Sequence, residues 1–343
     1  RDRVLDHRGT GQAQRTLGWC FLQAARAASD LAGGMVHGFQ HIFGGSRGDG
    51  AIRSHDVAIA RFDSSERVAW LAFRGTAEAP CERLQQWVFG RGNLQCALVS
   101  LPGRDNDSKV HGGFWLALEE LWPQIDAWLA SLETAPVRIR VTGFSRGGAL
   151  ATLAGWRLAE SLPDTDMEVV VWGSPRVGDA AFADAYQSVR NLYFLHIARK
   201  RDPVPALPPE ALSEHMAAMV GRVCVTDVFV ALSSGYADIA KPFYIDLSPN
   251  HSRAQHPFSC GTAFALSFDL IFKHHDLTAY EKGYERWFMD GHEATCAAIS
   301  EVCNLAAGYA RELSHCATDF NVRGASDTTS MWVPCGLAIM FIG

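Results

Sequence analysis

Short strand-like runs alternate with segments of helical periodicity through the middle of the chain. The strand-like runs are rich in β-branched and aromatic residues and cover 57–62, 68–73, 137–141, 168–172 and 192–197. Apolar residues at helical spacing cover 14–29, about 114–132, 149–158 and 180–188. Because strands alternate with helices, we expect a mostly parallel sheet with helices on both faces. The two earliest runs, separated by a polar turn, predict an antiparallel pair at its N-terminal edge.

The remaining segments have weaker patterns. Glycine-rich stretches before residue 51 indicate loops, and residues 77–109 show no strand period. Residues 208–270 are apolar and interrupted by proline and serine, and we interpret them as an insertion with its own helices. Residues 294–316 predict an amphipathic helix. We therefore predict one domain over 1–343, with a core of about 55–290, an insertion of about 208–270 and a C-terminal helix and tail of about 291–343.

The sequence Gly143-Phe144-Ser145-Arg146-Gly147 lies between a predicted strand and a predicted helix. Gly-x-Ser-x-Gly in this context is the nucleophile elbow of α/β-hydrolases, whose tight turn strains the serine backbone and exposes its hydroxyl. The backbone N–H groups after the serine then point at the atom that it attacks. We predict that Ser145 is a nucleophile. The alternative is a glycine-rich turn with an incidental serine.

A serine hydroxyl needs a base, and that base needs a carboxylate to orient it. Both follow the serine in the chain of an α/β-hydrolase. Asp202 comes directly after the predicted strand 192–197, in a loop stiffened by two prolines, so we predict that it is the acid. The alternative is an aspartate that only begins a turn. The later histidines are His215, His251, His256, His274, His275, His292 and His315. The polar turn at His274 and His275 suits a base held above the sheet.

Five blocks of the chain resemble the class 3 (fungal-type) lipases and occur in that family's order. They are Leu71-Ala72-Phe73-Arg74-Gly75-Thr76, Val110-His111-x-Gly113-Phe114, the elbow, Trp172-Gly173-Ser174-Pro175-Arg176-Val177-Gly178 and Asp202-Pro203-Val204-Pro205-x-Leu207-Pro208. The resemblance implies an α/β-hydrolase fold and a triad of Ser145, Asp202 and His275. It favours His275 over His274 because the family's histidine begins an H-x-L-x-x-Y motif. It also implies an oxyanion hole formed by Thr76 and Arg146.

The elbow departs from the family's usual Gly-His-Ser-Leu-Gly-Gly at Phe144 and Arg146. The backbone N–H of Arg146 still serves an oxyanion hole, because the side chain is not the donor. Its guanidinium is expected either to place a charge near the acyl or head-group pocket or to pair with an acid. We interpret Arg74 and His111 as buried hydrogen-bonding scaffolds under the site.

The resemblance also implies a lid directly after the oxyanion residue. Residues 78–92 occupy that position, and Leu84, Trp87 and Val88 would form the apolar face of a short helix. Such a face shelters over the pocket when closed and binds an oil–water interface when open. The alternative is one turn of a core helix.

Composition narrows the functional classes. The hydrophobic share of 48% and charged share of 20% are typical of a globular protein with a substantial core. A net charge of −6 without a long basic run argues against a nucleic-acid partner. No apolar stretch reaches the roughly 20 residues of a membrane span. The cysteines match no metal-site spacing, and the triad chemistry needs neither a metal nor an organic cofactor.

Nine cysteines and two glycosylation sequons, at Asn106 and Asn250, favour secretion or another oxidising compartment. Cys81 and Cys96 bracket the predicted lid helix, and we predict a disulfide between them. Reduced, buried cysteines are the alternative.

The triad chemistry predicts a carboxylic-ester hydrolase, and the resemblance implies that it acts on tri-, di- or monoacylglycerols at an oil–water or membrane surface. Phospholipase A1, galactolipase or feruloyl-esterase activity on the same triad is an alternative, because pocket shape decides it. A catalytically silent α/β-hydrolase scaffold serving as a binding module is an alternative from another class. The oligomeric state does not follow from the sequence.

Overall fold

The computed structural model describes residues 10–29, 39–43, 57–76, 93, 96–101, 107–208, 210, 235–245 and 274–289. Its strands are β1 (Gln40–Phe43), β2 (Val57–Asp63), β3 (Val68–Phe73), β4 (Leu98–Ser100), β5 (Lys109–His111), β6 (Arg138–Phe144), β7 (Asp166–Trp172), β8 (Leu192–Ala198) and β9 (Phe243–Tyr244). Its helices are α1 (Thr10–Ser29), α2 (Gly112–Ala130), α3 (Arg146–Ser161), α4 (Ala180–Ser188) and α5 (Leu277–Met289), with a 3₁₀ turn at Val204–Ala206.

The main sheet has the strand order β1-β2-β3-β6-β7-β8-β9 within the described residues. The β1–β2 and β2–β3 pairs are antiparallel, and every later pair is parallel. This arrangement confirms the predicted α/β-hydrolase class, with antiparallel strands at the N-terminal edge. Because parallel strands end at the same edge of a sheet, the residues that follow β3, β6 and β8 lie along one edge.

Strand β7 shows why both faces of the sheet are buried. Met167, Val169 and Val171 pack in the cluster that contains α2, α3 and α4, whereas Val170 and Trp172 pack with α1 and α5. Successive side chains of a strand point to opposite faces, so a strand covered on both sides must be apolar at nearly every position. The unbroken run Val169-Val170-Val171-Trp172 meets that requirement.

Three parts of the sheet structure were not predicted from the sequence. Strand β1 pairs with β2, and β9 adds two residues to the far edge beside β8. Strands β4 and β5 pair with each other, although residues 77–109 showed no strand period. Strands of two to four residues are too short to display an alternation, and their partners in the sheet stabilise them.

Several predicted segments lie outside the described residues. They are the lid at 78–92, including Leu84, Trp87 and Val88, most of the insertion at 208–270, and the C-terminal helix at 294–316. Among the helices that the structure describes, none combines the length and apolar character required to cross a bilayer.

Candidate active site

Ser145 forms the turn between β6 and α3 in a strained backbone conformation. Its φ is 57° and its ψ is −127°, a region that residues with a side chain rarely adopt, at a cost of about 1–3 kcal/mol. Neighbouring backbone holds it there: the Ser145 N–H donates to the Trp172 carbonyl at 2.9 Å, and its carbonyl accepts from the Gly148 N–H at 2.9 Å. The side chain makes no capping bond to α3. The hydroxyl is therefore not tied to the helix that follows it.

The two glycines of the elbow are steric requirements. A Cβ on Gly143 would lie 2.2 Å from the carbonyl oxygen of Gly147, and a Cβ on Gly147 would lie 2.2 Å from the carbonyl oxygen of Phe73. Both clashes involve backbone that cannot move without disturbing the pairing of β3 with β6. The Gly-x-Ser-x-Gly spacing thus follows from the close approach of β3, β6 and α3.

Asp202 lies just beyond β8 and is fully buried. Its Oδ2 accepts the Nδ1–H of His275 at 2.7 Å and the hydroxyl hydrogen of Tyr280 at 2.6 Å. Its Oδ1 accepts the backbone N–H of Val204 at 2.9 Å. Three donors compensate the carboxylate for the water that burial removes. The structure thus brings Asp202 and His275 together.

The other ring nitrogen of His275 has no hydrogen-bond partner among the residues that the structure describes. Because the Asp202 carboxylate only accepts, Nδ1 carries the hydrogen and Nε2 is the basic nitrogen of the neutral ring. Nε2 is buried and makes no hydrogen bond within the described part of the chain, so a bond to Ser145 is not formed here. The ring stacks on Phe144, with centroids 4.6 Å apart and planes at 20°. Phe144 directly precedes Ser145, and the imidazole therefore lies beside the elbow. Catalytic hydrogen bonds are often long without substrate and tighten when it binds.

Tyr280 belongs to this site, although the sequence indicated no role for it beyond completing the histidine motif. Its buried hydroxyl donates to Asp202 and accepts the backbone N–H of Arg199 at 3.2 Å. Burial, with the adjacent Asp202 carboxylate, raises the pKa of Tyr280 well above its usual value. The hydroxyl therefore remains a hydrogen-bond donor to the acid. The signal in the sequence that could have identified Tyr280 is its place at the end of the family's H-x-L-x-x-Y motif, one helical turn after Leu277.

Both predicted oxyanion residues are close to the elbow. Thr76 follows Gly75, and a Cβ on Gly75 would lie 3.8 Å from the Ser145 Cβ. The backbone N–H of Arg146 is in the first turn of α3, where amides have no partner within the helix and the dipole favours negative charge. The Thr76 hydroxyl oxygen accepts the side-chain N–H of Asn93 at 3.1 Å. The sequence did not identify Asn93.

The Arg146 side chain takes a position that the sequence left open. Its guanidinium is buried, with 1% of the residue exposed, and it lies 5.7 Å from the Phe114 ring centroid. Its Nη1 donates to Oδ1 of Asn93 at 2.8 Å. The expectation was a charge at the acyl or head-group pocket, or a pair with an acid. The structure shows a buried guanidinium that is hydrogen-bonded to an amide.

His111 caps the N-terminus of α2. Its Nδ1 accepts the Phe114 N–H at 3.2 Å, and its Nε2–H donates to the Asn93 carbonyl at 3.2 Å. Burial, reinforced by the nearby Arg146 charge, lowers the pKa of His111 to about 3. The ring is therefore neutral near pH 7, in a buried scaffold position of the kind that the sequence predicted.

Cys96 is a free thiol, and it donates to the Asn93 carbonyl at 3.2 Å. Burial raises its pKa to about 11. The structure therefore does not contain the predicted Cys81–Cys96 disulfide, because one of its two sulfurs is reduced. Cys81 lies outside the described residues.

Residues 70–212 match the family model described as Lipase (class 3). The chain is 32% identical over 165 residues to a lipase of Rhizomucor miehei, an alignment that covers 47% of this chain and 42% of that protein. It is 26% identical over 169 residues to phospholipase A1-IIgamma of Arabidopsis thaliana, covering 42% of this chain and 39% of that protein. A solved structure of Rhizomucor miehei triacylglyceride lipase gives a TM-score of 0.45 at 22% identity, over 60% of this chain and 78% of that one. The chain spans less than half the length of these two curated relatives.

Proposed function

Because residues 70–212 match the family model for class 3 lipases, we propose that this chain is a serine carboxylic-ester hydrolase that cleaves acyl esters of glycerolipids. One observation carries the proposal: a strained elbow at Ser145 lies at the same edge of the sheet as the Asp202–His275 pair. Tri-, di- and monoacylglycerols are the proposed substrates, at an oil–water or membrane surface.

The proposed reaction follows from the positions of these groups. The Ser145 Oγ attacks the ester carbonyl carbon while Nε2 of His275 takes its proton, and Asp202 stabilises the imidazolium through Nδ1. Thr76 and the backbone N–H of Arg146 donate to the oxyanion that forms. When this intermediate collapses, the alcohol leaves with the proton from His275. Water then attacks the acyl-enzyme by the same steps and releases the fatty acid.

A phospholipase A1 is the second candidate, favoured by the similarity to phospholipase A1-IIgamma. The same triad would cleave an acyl ester of a phospholipid, because the reacting bond is the same and only the head group differs. Hydrolysis of p-nitrophenyl esters, triglycerides and phospholipids by the pure protein, measured side by side, decides between the two. Galactolipids and feruloyl esters complete the panel.

The triad assignment is tested by single substitutions. Ser145→Ala, Asp202→Ala and His275→Ala should each lower ester hydrolysis at least about a thousandfold, because the three residues act as a unit. His274→Ala is the matched control and should retain activity.

Labelling by a fluorophosphonate tests the nucleophile separately. The wild-type protein should be labelled at Ser145, and Ser145→Ala should not. A protein that is neither labelled nor active on any ester of the panel is a silent scaffold, and the proposed function is then wrong. Loss of activity in His274→Ala with a benign His275→Ala would reassign the base.

We also propose that residues 78–92 form a lid. This segment lies outside the described residues, and its support is its position directly after Thr76 together with the helical spacing of Leu84, Trp87 and Val88. The rate on a short-chain triglyceride should rise sharply above the substrate's solubility limit. Leu84→Ser combined with Trp87→Ser should reduce that rise more than it slows a soluble ester. A smooth saturation curve that is the same in the double variant would contradict the proposal.

A further inference from the structure

A single asparagine connects the two residues of the proposed oxyanion hole. The side-chain Nδ2–H of Asn93 donates to the Thr76 hydroxyl at 3.1 Å, and its Oδ1 accepts from the Arg146 guanidinium at 2.8 Å. The Asn93 carbonyl accepts from the His111 ring and the Cys96 thiol, both at 3.2 Å. The backbone of Asn93 is therefore anchored, and its amide side chain spans the distance from a cation to a hydroxyl.

This arrangement determines where the Thr76 hydroxyl hydrogen can point. A threonine hydroxyl has one hydrogen and two lone pairs, and Asn93 occupies one of the lone pairs. The hydrogen therefore points away from Asn93. Without the Asn93 bond the hydroxyl would rotate freely, and part of its orientations would present a lone pair to the oxyanion. Donors that are already oriented need no reorganisation at the moment of reaction.

The Arg146 guanidinium also polarises the hydrogen bond from Asn93 to Thr76. Arginine stays protonated inside proteins, and the Arg146 side chain is buried, where its field is weakly screened. An amide whose oxygen accepts from a cation becomes a stronger donor through its N–H, because linked hydrogen bonds polarise one another. The same effect then strengthens the Thr76 hydroxyl as a donor.

We propose that the Arg146 side chain is a positioning residue for the oxyanion hole, and that it acts through Asn93 on the Thr76 hydroxyl. The inference rests on the proposed ester hydrolysis. One residue then serves the oxyanion twice: its backbone N–H donates directly, and its guanidinium acts through the asparagine. We call this chain of contacts, from Arg146 through Asn93 to Thr76, the relay. Because the oxyanion exists only in the transition state and the intermediate, the relay raises kcat and leaves KM nearly unchanged.

Arg146→Met tests the proposal, because it removes the charge and keeps much of the buried volume. Removal of a direct oxyanion donor costs about 100- to 1000-fold in kcat, so loss of an indirect contribution should cost about 10- to 100-fold, with KM within about twofold. Arg157→Met is the matched control on the same helix. The Arg157 guanidinium lies over the Trp122 ring at 3.9 Å, outside the site, and its removal should leave kcat unchanged. An unchanged kcat in Arg146→Met overturns the proposal.

A double-mutant cycle with Asn93→Ala tests the route. If Arg146 acts through Asn93, Arg146→Met should have no further effect on kcat in the Asn93→Ala background, within about twofold. Independent, multiplying effects overturn the relay, since the guanidinium would then act directly. Should Arg146→Met fail to fold, Arg146→Lys should retain more of kcat than Arg146→Gln, because only lysine keeps the charge; the reverse order also overturns the proposal.

These results separate the two levels of inference. A wild-type protein that hydrolyses no ester overturns the proposed function. A wild-type protein that hydrolyses esters with the kcat of Arg146→Met overturns the relay alone.

Discussion

Protonation of His111 should couple the stability of this protein to pH. Its ring is fully buried, with Nδ1 accepting the Phe114 N–H and Nε2–H donating to the Asn93 carbonyl. A second ring proton would convert Nδ1 from an acceptor into a donor, which would face the Phe114 N–H. It would therefore remove the side-chain cap of α2 and place a buried charge near Arg146. Burial, reinforced by the nearby Arg146 charge, lowers the pKa of His111 to about 3, from 6.5 for an unperturbed histidine.

The sign of the effect follows from the two pKa values. The unfolded chain binds this proton below pH 6.5, whereas the folded protein binds it only near pH 3. The unfolded state therefore holds more protons across this interval, and the free energy of unfolding falls as the pH is lowered through it. One pKa unit corresponds to about 1.4 kcal/mol, so His111 alone should remove about 2 kcal/mol of stability between about pH 7 and pH 5.

His111→Asn isolates this contribution, because asparagine caps a helix and does not titrate. The free energy of unfolding is measured by urea denaturation at neutral pH and at about pH 5 for both proteins. The loss on acidification should be smaller in the variant by about 2 kcal/mol, whatever its absolute stability. All other titrating groups are common to both proteins and cancel in the difference. Equal losses in the two proteins would refute the low pKa of the buried ring.

Two further substitutions test the geometry of the site. Tyr280→Phe removes one of the three donors that hold the Asp202 carboxylate, so the acid should be less firmly positioned against His275; we expect kcat/KM to fall about tenfold. An unchanged kcat/KM would show that this hydroxyl does not position the acid. Gly147→Ala places a Cβ 2.2 Å from the Phe73 carbonyl oxygen and should cost at least about 2 kcal/mol in thermal unfolding. Gly283→Ala in α5 meets only side-chain atoms and should change stability by less than about 1 kcal/mol; equal effects of the two would argue against a rigid elbow.

Local pattern was sufficient for the long elements and for the elbow. The five strand-like runs appear as β2, β3, β6, β7 and β8 with bounds within three residues of those expected, and α4 covers the predicted 180–188. These runs are long enough to display a period, and their alternation with helices dictates a parallel sheet. Ser145 was identifiable because the glycines on either side of it are required by close contacts. Gly143 lies against the backbone of Gly147, four residues away, and Gly147 lies against Phe73 at the end of the neighbouring strand β3. Such steric requirements leave a short, readable signature.

Contacts between distant parts of the chain left no such signature. Asp202 selects His275 through a bond between residues 73 positions apart, and residue-by-residue reasoning alone left His274 and His275 equivalent. The expected alternatives for the Arg146 guanidinium did not include Asn93, which lies 53 positions away. The disulfide expected at Cys96 was likewise replaced by a thiol bonded to the same asparagine. Only the folded sheet, by bringing the ends of β3, β6 and β8 to one edge, determines which of these side chains meet.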